Sequence, residues 1–169
     1  MIQDNLALAR AYEEQERYQE ALAEYGKAVK ENPQDAEPLL CRGALLGELG
    51  QYEAAITDFS AALAIDPYNG SAYNNRGDLQ ASLGRHEAAI ADFSQALSLN
   101  DADVDSYYNR GLSLAELGKL QDALADLDKA LALDPFHGGA YNNRGLIQVR
   151  IGDYLRAVAD FSKAIEVRT

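Results

Sequence analysis

The chain has 169 residues, 27 acidic and 15 basic, for a formal charge of −12. That balance excludes a nucleic-acid surface and insertion at an anionic membrane, since both need a cationic patch that displaces counterions. Hydrophobic residues make up 47 %, enough to bury a core, and the single cysteine, Cys41, excludes a disulfide framework or a cysteine-based zinc site. Two histidines, His86 and His137, are too few for a histidine metal centre, and no cofactor or metal is expected. No apolar run approaches the ~20 residues that span a bilayer. The opening residues lack the basic flank and apolar stretch of a secretory leader, so a cytoplasmic setting is expected.

In chain order, one unit of helix, turn and helix is written five times, over residues 2–35, 36–69, 70–103, 104–137 and 138–169, as one domain spanning 1–169. Gly43, Gly77, Gly111 and Gly145 recur every 34 residues on the first helix of units two to five. Gly50, Gly84, Gly118 and Gly152 follow that helix at the same period, placed to end it in the left-handed conformation. The second helix carries Ala21, Ala55, Ala89, Ala123 and Ala157, each followed four residues later by Tyr25, Phe59, Phe93, Leu127 or Phe161. In 53–65 the apolar residues Ala55, Ile56, Phe59, Ala62 and Leu63 fall on one face at helical period. Pro33, Pro67 and Pro135 close three units, because proline disfavours helix in the residue before it. Asp35, Asn69 and Asp103 stand at unit boundaries, where a side-chain oxygen caps the next helix. His137 reads as a cap or loop residue. The expectation is ten short helices in five antiparallel pairs.

These residues resemble the tetratricopeptide repeat. Tyr73, Gly77, Ala89 and Phe93 match its spacing, as do Tyr141, Gly145, Ala157 and Phe161. The resemblance covers essentially the whole chain and implies an all-α, right-handed α-solenoid of five repeats. Leu39 or a tyrosine replaces the usual tryptophan, and Arg42, Arg76, Arg110 and Arg144 replace the leucine before the glycine. The first unit is degenerate, with Asn5 and Ala9 in the aromatic and glycine slots.

Each of those arginines lies 16 residues before an aspartate: Asp58, Asp92, Asp126 or Asp160. The turn glycine is midway, so an antiparallel hairpin brings both charges to the same height. This predicts ion pairs between paired helices rather than an anion-binding ladder.

Asn75, Asn109 and Asn143 recur once per unit on the first helix, where alanine or leucine would form helix better. In the resembled family the first helices line a concave groove, and an asparagine two residues before the glycine grips a ligand's main chain. One amide offers a donor and an acceptor to a peptide unit. A purely structural bridge between repeats is the other reading. By register the groove face also takes Asn74, Asp78, Tyr108, Leu112, Asn142 and Leu146. Some relatives clamp an acidic C-terminus with lysines on these helices, and no lysine is present here. A neutral, apolar or basic segment of another protein is the expected ligand.

No nucleophile–base pair, phosphate loop or metal-ligand spacing occurs, so a non-enzymatic binding module or scaffold is expected. Asp101, Asp103 and Asp105 imitate a calcium loop, but Ser106 and Leu112 replace its glycine and its closing glutamate. Two alternatives remain: an assembly protein that self-associates through its end repeats, or the regulatory repeat part of a longer protein. Val158, Phe161 and Ile165, on the last helix, are the candidate self-association residues, giving a weak, salt-promoted homo-oligomer.

Overall fold

The computed structural model describes residues 4–167, and every regular element among them is an α-helix. In chain order these are α1 (Asn5–Glu14), α2 (Tyr18–Glu31), α3 (Glu37–Glu48), α4 (Tyr52–Ile65) and α5 (Gly70–Ser82), then α6 (His86–Leu99), α7 (Val104–Glu116), α8 (Leu120–Leu133), α9 (Gly138–Arg150) and α10 (Tyr154–Glu166). The ten expected helices are present.

Two compact units meet in sequence at Leu83 and Gly84. In the first, α1 pairs with α2 and α3 with α4 as hairpins, while α2 packs on α3 and α4 on α5. In the second, α7–α8 and α9–α10 are the hairpins, with α6 packed on α7 and α8 on α9. Within each unit the first helices also touch, α3 with α5 and α7 with α9.

Close approach inside a hairpin depends on residues without bulk. Ala21, Ala55, Ala123 and Ala157 are almost fully buried. The first-helix glycines receive the large apolar side chains directly. A Cβ at Gly43 would meet the Phe59 ring at 3.3 Å, and one at Gly111 would meet the Leu127 Cγ at 3.3 Å. Between hairpins the cores continue. Phe59, Leu63 and Leu46 close over Ala72 of α5, while Leu127 and Leu131 close over Ala140 of α9.

The turns follow the sequence with one exception. Gly50, Gly84, Gly118 and Gly152 have φ of 73°, 73°, 74° and 83°, the left-handed conformation glycine adopts without strain. In the α1–α2 turn the same position is Glu16, with φ 59°. A residue with a Cβ is strained there, by roughly 1–2 kcal/mol. Glu16→Gly should therefore raise the stability of the first hairpin by about 0.5–1 kcal/mol, the entropy of a freer unfolded chain offsetting the rest. A higher midpoint of thermal unfolding checks this; a lower one refutes it.

Capping differs in detail from expectation. Asn69 Oδ1 accepts from Ala72 N at 2.9 Å, and His137 Nδ1 accepts from Ala140 N at 3.0 Å. Asp35 accepts from Glu37 N, two residues on, while Ala36 takes the cap position of α3 without a side-chain bond. Asp103 takes the Ser106 hydroxyl at 2.5 Å instead of a main-chain N–H. A short carboxylate has several local donors to choose from, and the sequence does not rank them.

Candidate functional site

The first helices α1, α3, α5, α7 and α9 carry no lysine. Their arginines are engaged. Arg42 holds Asp58 through two bonds of 2.6 and 2.7 Å, Arg110 holds Asp126 at 2.7 and 2.8 Å, and Arg144 holds Asp160 at 2.7 and 2.6 Å. These are the expected hairpin bridges, bidentate and mostly buried. Arg76 and Asp92 belong to different units. Hydrogen bonding to the aspartates holds the guanidinium groups of Arg42, Arg110 and Arg144 above their ordinary pKa, against the opposing effect of burial. Each of Arg76, Arg110 and Arg144 also lies 5.5–5.7 Å from the ring centre of the tyrosine three residues earlier, Tyr73, Tyr107 or Tyr141. Arg42, Arg110 and Arg144 are therefore fixtures of the scaffold, neutralised from within.

In the first unit, α3 and α5 enclose a recess of about 250 Å³. Its floor includes Gly43, Gly47 and the Phe59 ring, with Leu79 at the side. Asn75, Asp78 and Glu48 supply its polar rim, so its only ionisable groups are carboxylates. Asn75 and Asp78 are exposed, and Asn74 is half-buried beside them. The absent side chain at Gly47 opens the recess: a Cβ there would stand 3.3 Å from Leu79.

In the second unit the residues of the same register are more tied down. Asn143 Nδ2 donates to Tyr108 Oη at 2.8 Å and to Gly139 O at 3.0 Å, linking α9 to α7. Tyr108 also packs on His137, with ring centres 4.6 Å apart, and burial pushes its hydroxyl above the ordinary pKa while the Asn143 donor opposes that rise. Asn109 and Leu112 are half-buried, whereas Asn142 and Leu146 are exposed. Arg150 donates to Ala115 O at 3.1 Å, a second tie between α7 and α9.

A separate recess of about 370 Å³ lies between the start of α9 and the end of α10. Phe161 and Ile165 line it together with Asn142 and Asn143. The three residues nominated on α10 are not equivalent. Val158 and Ile165 are 64 % and 69 % exposed, but Phe161 is half-buried, its ring pressed on Gly145 where a Cβ would meet it at 2.7 Å. Leu155, 89 % exposed, joins Val158 on the open stripe and was not singled out from sequence. Its signal was available: the same register position holds Glu53, Glu87 and Gln121 in earlier units.

A tetratricopeptide repeat model matches residues 104–137 and another matches 138–169, and a related repeat model matches 9–50, 45–84 and 78–118. The chain belongs to the tetratricopeptide repeat family, and its fold is the all-α solenoid of that family. No curated protein sequence matches it. Among solved structures it is similar to MamA, with 26 % identity and a TM-score of 0.92, covering 95 % of this chain and 94 % of that one. MamA 41-end from Desulfovibrio magneticus RS-1 matches at 26 % identity and TM-score 0.89, covering 99 % and 97 %. The first repeat domain of Spaghetti (RPAP3), bound to the HSP90 peptide SRMEEVD, matches at 29 % identity and TM-score 0.68, covering 70 % of this chain and 94 % of that one. Among the described residues, no helix is long and apolar enough to cross a membrane.

Proposed function

We propose that this protein is a non-enzymatic module of five repeats, with the boundaries given above, that holds a neutral, apolar or basic segment of another protein against its first helices in the cytoplasm. The α3–α5 recess carries this reading: an apolar floor for one side chain, the Asn75 amide for a peptide group, and carboxylates at Asp78 and Glu48 for a lysine or arginine. The peptide-bound RPAP3 domain supports the mode of binding. The peptide chemistry differs. SRMEEVD is acidic towards its end, whereas the first helices here lack lysine and Arg42, Arg110 and Arg144 are spent on aspartates.

Capture from a lysate by wild type, beside an Asn75/Asn109/Asn143→Ala triple variant, identifies the partner. Against a peptide cut from that partner, Asn75→Ala and Asn109→Ala should each weaken binding by roughly 1–2 kcal/mol with little loss of stability. Replacing its basic residues by glutamate should weaken binding further, and added salt should narrow that difference. Equal binding by wild type and both asparagine variants, or tighter binding of the acidic peptide, overturns the reading.

A second reading, self-association through α10, rests on the exposure of Val158 and Ile165. Its measure is light scattering over a dilution series at low and high salt. Phe161→Glu is not a clean test of it, because that ring packs on Gly145.

A further inference from the structure

The three junctions α4–α5, α6–α7 and α8–α9 share one docking scheme. The incoming first helix sets a small residue on the preceding second helix: Ala72, Ser106 and Ala140 are each no more than 1 % exposed. Four residues later its arginine reaches back. Arg76 Nη1 donates to Ser60 Oγ at 3.0 Å, Arg110 Nη1 to Ser94 Oγ at 3.1 Å, and Arg144 Nη1 to Asp128 Oδ1 at 2.6 Å. The serine acceptors are prepared for this. Ser60 Oγ donates its own hydrogen to Ile56 O at 2.7 Å and Ser94 Oγ to Ile90 O at 2.6 Å, which turns the oxygen's lone pairs towards the arginine.

Helix α10 repeats the receiving half of this scheme. Ser162 occupies the register of Ser60, Ser94 and Asp128, and its Oγ likewise donates to Val158 O, at 2.8 Å. Ile165 stands in the register of Leu63, Leu97 and Leu131, which are buried to within 8 % at the internal positions. The recess lined by Phe161 and Ile165 completes the seat.

We propose that the α10 face is a second binding site, distinct from the α3–α5 recess and bordering the first-helix face at Asn142 and Asn143, for a helix of a partner protein with a small residue followed four residues later by arginine. The arginine would donate to Ser162, and the small residue would sit against Phe161 and Ile165. Charge favours this occupant, since a basic helix approaches a chain of net charge −12. A second copy fits poorly. Its α1 offers Asp4 in the small-residue position and Leu8 in place of the arginine, and the two copies repel.

The test uses a fluorescent peptide of residues 138–150 of this chain, GGAYNNRGLIQVR, held helical by a side-chain staple because so short a helix is marginal in water. Anisotropy should show saturable binding to the intact protein. Ile165→Asp should weaken it by about tenfold. Alanine at the peptide's first arginine should weaken it by roughly fivefold. Ser162→Asp should tighten the arginine peptide by about threefold and leave the alanine peptide unchanged, as a charged acceptor at that register does for Arg144. Both substituted positions are exposed, so unchanged thermal midpoints confirm folding. Asn75→Ala should leave this binding intact, which separates the site from the α3–α5 recess. Three outcomes overturn the proposal: no saturable binding, equal binding by Ile165→Asp and Ser162→Asp, or a wild-type oligomer held through this face that the peptide does not dissociate.

Discussion

Replacing Asp58 by alanine is expected to cost about 3–5 kcal/mol, the range for breaking a buried ion pair and leaving its partner charged. Asp58 is almost wholly buried, and the Arg42 fork it accepts is three-quarters buried. The cost should fall in a set order along the chain, because the arginines differ in what remains to them. Arg42 faces Gly26 at the position where Arg110 has the Ser94 hydroxyl and Arg144 has the Asp128 carboxylate. Asp58→Ala therefore leaves a bare guanidinium, Asp126→Ala leaves one with a neutral acceptor, and Asp160→Ala leaves one still paired with a charge. Urea unfolding of the three variants should rank Asp58→Ala as most destabilising and Asp160→Ala as least. If Asp160→Ala costs as much as Asp58→Ala, the second acceptors contribute nothing to holding the arginines.

The repeat made this much legible. An arginine and an aspartate sixteen apart, with a glycine at the midpoint, fix a bridge once the two helices are known to be antiparallel, and the bridges at Asp58, Asp126 and Asp160 formed. Positions that repeat carry the fold, because each copy must meet the same neighbours. What the pattern could not supply lies where copies differ or partners compete. Asn143 and Asn75 occupy the same register, yet Asn143 is drawn to Tyr108 of the preceding unit, whereas the unit preceding Asn75 has Leu40 at that place. The α3–α5 recess likewise depends on Gly47, where later units carry Ala81, Ala115 and Val149. A site made by one missing side chain is invisible to a reading that looks for recurrence. Phe161 shows the converse. Its register with Phe59 was plain, and that register already implied a ring turned onto the glycine of its own hairpin rather than outward.

Phe59→Ala should be the other severe substitution. The ring is 2 % exposed, lies on Gly43, and packs with Leu46, Leu63 and Ala72 across the junction to α5. Removing a buried phenylalanine costs about 3–5 kcal/mol, part from lost transfer energy and part from the cavity left behind. Phe161→Ala deletes the same atoms from the same register. It should cost roughly half as much, since that ring is half-buried and borders an open recess, so less apolar surface is withdrawn from water. Stability in repeat proteins is close to a sum of each repeat and its interfaces with neighbours. The difference between the two variants therefore measures what a docked helix adds to a second helix. Saturating the protein with the stapled GGAYNNRGLIQVR peptide should raise the unfolding midpoint of wild type and raise that of Phe161→Ala less, since the variant lacks the surface the peptide covers. Equal losses for Phe59→Ala and Phe161→Ala without peptide would mean that the α10 face is already covered in solution.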